Sequence, residues 1–225
     1  MGAPLVTVLG SCRQYSAAHH FQVTCIQEGL TYPHYSKEIL QAVRYLKSNT
    51  LRPEQTQACF RTGLLQKGPI LDYEQMARAF RDTDVFLLEI ASRLCYDWQG
   101  LVVHHIAVEP AYGFADAASV AIREQTDAEI ESDVLEIRSL LSPRPMIVVA
   151  HITTRKSGKR YDLVRLLEAI CARHGIIFFD PAVLLEAHPA DKLYRPEPVL
   201  AHYTDIGHSI VSQEYKRLIS GACSI

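Results

Sequence analysis

Residues 146–179 spell out one complete strand–helix–strand unit, and that unit constrains the fold more than any other stretch. Met146, Ile147, Val148, Val149 and Ala150 form a short run without a polar member, the pattern of a strand covered on both faces. Residues 160–174 put Leu163, Leu166, Leu167 and Ile170 on one helical face. Gly175 follows at the position where a left-handed residue ends a helix. Residues 176–179 are a second apolar run, closed by Asp180-Pro181. Two parallel strands joined through a helix require a right-handed crossover, and a sheet of such units is buried under helices on both faces.

The rest of the chain repeats the theme. Leu5, Val6, Val8 and Leu9 mark a first buried strand that stops at Gly10, where the missing Cβ permits a sharp turn. Residues 21–26 read as a second strand, ending before Glu28-Gly29, and residues 84–91 as a third that leads into Ser92-Arg93. Ser36 is placed to cap a helix carrying Ile39, Leu40, Val43 and Leu46. Further helices are expected over 72–80, over 127–141 with Pro143 and Pro145 beyond it, and over 205–220. The pattern predicts a single α/β domain, a flavodoxin-like three-layer α/β/α arrangement with a mainly parallel sheet. Residues 48–70 and 97–125 read as insertions. Within the second, 101–108 is expected to be an extra strand or hairpin with His104 and His105 on opposite faces.

Composition closes off several functions. At 225 residues the chain has room for one full core, and 48% hydrophobic with 21% charged residues is ordinary for a globular domain. A net charge of -2 gives no electrostatic pull towards nucleic acid. No apolar run approaches the roughly 18 residues of a membrane span, so no membrane partner is expected, and no signal peptide is visible. The six cysteines (Cys12, Cys25, Cys59, Cys95, Cys171, Cys223) are scattered without a CxxC pair, which predicts free thiols and a cytoplasmic setting. There are ten histidines, but the pairs His19-His20 and His104-His105 are adjacent residues whose side chains should diverge. With no HxxxH spacing either, no metal is expected.

Open α/β sheets bind ligands at the carboxyl ends of their strands. Those ends carry Ser11, Cys12, Ser92, Arg93, His151 and Asp180, and the segment Ala201-His202-Tyr203-Thr204 can reach the same edge. Cys12 is the stronger intrinsic nucleophile, because a thiol is partly ionised near neutral pH. Its structural alternative is a small buried residue filling the sheet edge. Ser11 takes over as nucleophile if the loop is shifted by one residue. Arg93 and Arg61 are candidate clamps for a carboxylate or phosphate, and His151 a candidate substrate donor. Residues 155–160 (Arg, Lys, Ser, Gly, Lys, Arg) are either a solvated loop or a cradle for the phosphates of coenzyme A or another acyl carrier. No bound cofactor is otherwise called for.

Two motifs resemble the SGNH (GDSL-type) hydrolases. Gly10-Ser11-Cys12 stands where that family has strand-Gly-Asp-Ser, and is closer still to the Gly-Ser-Cys opening of GSCFA-type proteins. His202-Tyr203-Thr204-Asp205-Ile206-Gly207-His208 is similar to the block holding the family's catalytic histidine. The resemblance implies Cys12 at the nucleophile position, His202 as base, and the Gly29 amide as a second oxyanion donor beside that of Ser11. The chain also departs from the family. Val199 stands where an Asp is expected three residues before the histidine, and no Asn lies in 89–92. Asp180 and Glu197 are then the candidate orienters of His202. Asp205 with His208 is a rival base pair, although Asp205 is also placed to cap the last helix.

The sequence therefore predicts an acyl-transfer enzyme, an ester or thioester hydrolase or an acyltransferase, acting on a small-molecule acyl substrate. The incomplete triad keeps a non-catalytic binding domain open, and a cysteine amidase or peptidase would use similar residues.

Overall fold

The computed structural model describes residues 2–65, 72–195 and 202–223. Its elements in chain order are β1 (Leu5–Leu9), β2 (Gln22–Val23), α1 (Ile26–Leu30), α2 (Ser36–Ser48), α3 (Pro53–Cys59), α4 (Arg61–Leu65), α5 (Tyr73–Asp82) and β3 (Val85–Ile90). Then come β4 (Leu94–Trp98), β5 (Leu101–Val102), β6 (Ala121–Glu124), α6 (Asp127–Leu141), β7 (Met146–Ala150), α7 (Lys159–His174) and β8 (Ile177–Phe179). The last are α8 (Ala190–Leu193), β9 (Tyr194–Arg195), β10 (His202–Tyr203) and α9 (Asp205–Ala222). A 3-10 helix, Cys12–His19, leaves β1 directly.

Five strands pair in the order β2-β1-β3-β7-β8, all parallel, and helices cover both faces, as the strand–helix alternation predicts. Side-chain alternation sorts the sheet into two cores. Leu9, Phe86, Leu88, Ile90 and Val148 pack with α2, α5, α6 and α7. Val6, Val8, Val85, Leu87, Ile147 and Val149 pack with the 3-10 helix and with Val211, Tyr215 and Ile219 of α9. On the second face Gly10, Glu89 and His151 continue the columns beyond the apolar layer.

Several local expectations are corrected. The strand expected over 21–26 shrinks to Gln22–Val23, because Ile26 begins α1 and buries itself with Leu30 in the first core. Tyr35 rather than Ser36 is the N-cap of α2; the Ser36 hydroxyl donates instead to Asp133 Oδ2 at 2.7 Å. Thr204 caps α9 by accepting from the Gly207 N–H at 2.9 Å, and Asp205 is the helix's first residue. Of the strand or hairpin expected over 101–108 only Leu101–Val102 is strand; it pairs back on β4, with Gln99 and Gly100 both at positive φ in a two-residue turn. It ends at Val102. His104 then caps a short 3-10 helix, His105–Val108, so strand alternation does not apply to the two histidines. Their ring centroids lie 4.2 Å apart rather than on opposite faces. β4, β5 and β6 form a separate antiparallel sheet. Among the described residues no helix is long and apolar enough to cross a membrane.

Candidate active site

Two strand ends and a turn build a polar cluster at the carboxyl edge. Leu9 pairs with Leu88 in register, so Gly10 lies beside Glu89; Glu89 pairs with Val149, so His151 stands one step diagonally away on the same face. The Glu89 carboxylate accepts from the Ser11 N–H at 2.7 Å through Oε2 and from His151 Nδ1–H at 2.7 Å through Oε1. Only 1% of Glu89 and 3% of His151 is exposed. Burial raises the Glu89 pKa, but the His151 contact, the Ser11 N–H and the Arg13 charge outweigh it and hold the carboxyl well below its usual range. Burial pushes His151 down despite the carboxylate, so the neutral imidazole donates from Nδ1. Its Nε2 is then a buried lone pair without a hydrogen-bond partner among the described residues.

The turn after β1 is braced around this pair. Ser11 caps the 3-10 helix, its hydroxyl accepting from the Arg13 N–H at 3.4 Å and from Arg13 Nη1 at 3.3 Å. The Ser11 carbonyl accepts from Gln14 N–H at 3.1 Å and Gln27 Nε2 at 3.3 Å. Ser11 is nearly sealed at 5% exposure, whereas Cys12, the first residue of the turn, is half-buried. Tyr15 flanks Cys12; burial and the neighbouring Tyr32 hydroxyl push the Tyr15 phenol up to about 12. Tyr203 is buried where the charges of Glu89, Arg13 and Asp180 reach it, which brings the segment carrying His202 to this edge.

Other predicted site residues have different partners. The Gly29 N–H donates to Cys25 O at 3.1 Å inside α1, and the Ser11 N–H is committed to Glu89, so neither amide is presented to an oxyanion. The Ser92 N–H donates to His34 O at 3.1 Å, and its hydroxyl accepts from the Leu94 N–H at 3.0 Å. Arg93 is paired with Asp127, and Arg61 lies over the Tyr32 ring at 5.1 Å. Asp180 accepts from the Ala182 N–H at 2.9 Å as a cap. Glu197 lies outside the described residues. His208 Nδ1 meets the fully buried Ser16 hydroxyl at 2.8 Å, and the exposed Asp205 lies 3.7 Å from Arg195, so these two do not form a dyad.

The sequence reading missed Glu89 and His34. Glu89 has a visible signal, a lone carboxylate in the otherwise apolar strand Val85–Ile90. His34 sits between Pro33 and Tyr35 with no such signal. A large open cavity of about 1130 Å³ lies at the opposite edge, lined by Pro4, Asp84, Pro145, Ile177 and Cys223. It lies at the amino ends of β1, β3 and β7, away from Cys12, Glu89 and His151.

A family model described as the TviD N-terminal domain matches residues 115–215, under half of the chain. No curated protein sequence matches. Among solved structures, a lipase/acylhydrolase from Enterococcus faecalis aligns over 97% of this chain and 96% of its own at 10% identity and a TM-score of 0.50. The salicylyl-acyltransferase SsfX3 from a tetracycline biosynthetic pathway aligns over 98% of this chain and 55% of its own, at 13% identity and a TM-score of 0.41. A lipolytic G-D-S-L family protein from Veillonella parvula aligns over 96% and 98%, at 11% identity and a TM-score of 0.40. The first of these alignments establishes that this chain has the fold of that acylhydrolase.

Proposed function

We propose that this protein transfers acyl groups at the carboxyl edge of its sheet, as an ester or thioester hydrolase or an acyltransferase, with Cys12 as nucleophile. The observation that carries the reading is the position of Cys12. It opens the helical turn leaving β1, is half-buried, and follows Ser11, whose N–H holds the buried Glu89–His151 pair. The cap bonds of the Ser11 hydroxyl and its near-complete burial favour Cys12 over Ser11.

In the proposed cycle His202 takes the Cys12 proton and the thiolate attacks the acyl carbonyl carbon. Collapse of the tetrahedral intermediate breaks the bond to the leaving oxygen or sulfur, which receives that proton. Water or a second acceptor, deprotonated by the same histidine, then releases the acyl group and restores the thiol. The donor is a small molecule, and the basic residues 155–160 suit the phosphates of a coenzyme A or carrier-bound acyl chain.

One observation favours a second assignment of the base. His151 already has its orienting carboxylate and a bare Nε2, whereas Asp180 is spent on a cap. The test is intact-protein mass spectrometry after exposure to activated esters and acyl-coenzyme A thioesters. Wild type is compared with Cys12→Ala, Ser11→Ala, His202→Ala and His151→Ala. An adduct lost with Cys12→Ala and slowed by one histidine variant supports the reading and names the base. Absence of adduct and of ester consumption on every form overturns it in favour of a non-catalytic binding domain.

A further inference from the structure

His34, His104 and His105 come together from two distant loops beside the acyl edge. The His34 backbone is pinned on both sides: its carbonyl accepts from the Ala91 and Ser92 N–H groups at 2.8 and 3.1 Å, just past β3, and its N–H donates to Glu38 Oε2 at 2.8 Å. His104 is held by its N–H on Cys59 O at 3.1 Å. The three rings pack with centroids 5.2 Å (His34–His104), 4.7 Å (His34–His105) and 4.2 Å (His104–His105) apart. One ring nitrogen from each lies within 4.8 Å of the others.

We propose that His34, His104 and His105 form a binding site for a divalent transition ion of the zinc class, with three imidazole ligands and a fourth position left open. Tetrahedral zinc at 2.0–2.1 Å from each nitrogen needs the nitrogens about 3.4 Å apart, which small ring rotations reach from the present separation. His104 has the outer contact of a ligating histidine, which donates its second ring N–H to a carbonyl or carboxylate. His104 Nε2–H donates to Tyr32 O at 3.1 Å, leaving Nδ1 as the ligand once it gives up the long 3.3 Å contact from the Ile106 N–H. His105 Nε2 lies 3.8 Å from Glu109 Oε1. No described residue hydrogen-bonds the His34 ring. Burial pushes the pKa of all three rings down, towards the neutral form that binds a metal. His34 also lies within electrostatic reach of Glu89, His151 and Arg13, so an ion here would sit next to the reacting edge. Packing alone does not call for three imidazoles with one weak acidic neighbour. Residues of this type and geometry at a partly open cluster match a nitrogen site that keeps a place for water or a substrate oxygen.

The site stands whether or not the acyl-transfer reading holds, and its test uses no turnover. The full chain, stripped with a chelator, is titrated with Co²⁺ and then Zn²⁺ and followed by visible absorption and calorimetry. The expected result is one equivalent of Co²⁺ with four-coordinate nitrogen-site bands, displaced by Zn²⁺. His34→Ala and His105→Ala each weaken binding by more than about a hundredfold, beyond the loss typical of an outer contact. His174→Ala, at the C-terminal end of α7, leaves binding unchanged. Sub-stoichiometric binding, binding that survives both ligand variants, or a sulfur-to-metal charge-transfer band overturns the proposal. Should the variants unfold, X-ray absorption of the zinc-loaded wild type decides: imidazole-only scattering supports the site and sulfur scattering refutes it.

Discussion

Glu89 Oε1 and His151 Nδ1 meet at 2.7 Å across neighbouring strands, inside a layer where every other side chain of β3 and β7 is apolar. An ionised carboxylate is tolerated there because two N–H donors are delivered to it by parallel-sheet register, one from the turn after β1 and one from the end of β7. Removing the acceptor orphans both donors. Glu89→Ala is therefore expected to cost about 1–3 kcal/mol for each orphaned donor in urea denaturation. Glu89→Gln, which still accepts hydrogen bonds, should cost clearly less. Equal losses for the two would show that charge and hydrogen bonding play no part.

Gly10 is glycine because of Glu89. A Cβ built on Gly10 would lie 2.6 Å from Glu89 Cβ and 3.2 Å from Glu89 N. Gly10→Ala should destabilise by about 1–3 kcal/mol through overpacking. Combined with Glu89→Gly, which removes the Cβ it strikes, its cost should fall below the sum of the single effects. Simple additivity in the double-mutant cycle would argue against the close approach.

The depressed pKa of His151 sets a pH dependence. The unfolded chain takes up the proton near the ordinary value of 6.5, and the folded chain only at lower pH. Stability from this group is thus complete above about pH 6.5 and declines as the pH falls towards the folded value, by up to about 1.4 kcal/mol per pH unit. His151→Gln should reduce the slope below pH 6.5, by at most one proton, in denaturation experiments. An unchanged slope would mean that His151 is protonated in the folded state.

Ser11 and Cys12 should separate cleanly. Ser11→Ala removes a cap and is expected to cost about 0.5–2 kcal/mol of stability while leaving acyl adduct formation in place. Cys12→Ala should leave stability nearly unchanged and abolish the adduct. Loss of the general base, His202 or His151, should slow acylation by about 10²- to 10⁴-fold. Adduct on Cys12→Ala that disappears with Ser11→Ala would reverse the assignment.

The sheet is legible because β1, β3, β7 and β8 are largely apolar runs of the kind a doubly covered parallel sheet uses, and α6, α7 and α9 carry periodic faces. Gly207 in the second motif also has a physical reason: a Cβ there would come within 1.8 Å of Leu193 O, so the first turn of α9 rests on the α8 backbone. The site was legible only in part. Ser11, Cys12 and His151 follow from the rule of strand ends, but Glu89 was passed over because the strand was scored by its apolar members. The Gly29 amide was misjudged because Cys25, Ile26 and Leu30 serve a short helix as well as a strand. The three-histidine cluster is invisible to spacing rules, since His34 and His104 are joined only by tertiary structure, and the Leu-Val-Val run before His104 imitates a strand that stops early.

The turn carrying Cys12 is fastened by the far part of the chain: the Tyr215 hydroxyl donates to Gln14 Oε1, His208 meets Ser16, and Ser212 meets His20 at 3.3 Å. These bonds bridge separations of about 200 residues, the kind of closure a folding chain reaches late. A ribosome-bound chain can therefore build its first sheet pairs while the Cys12 turn is still without its brace. The turn should take its final geometry only when α9 docks on it.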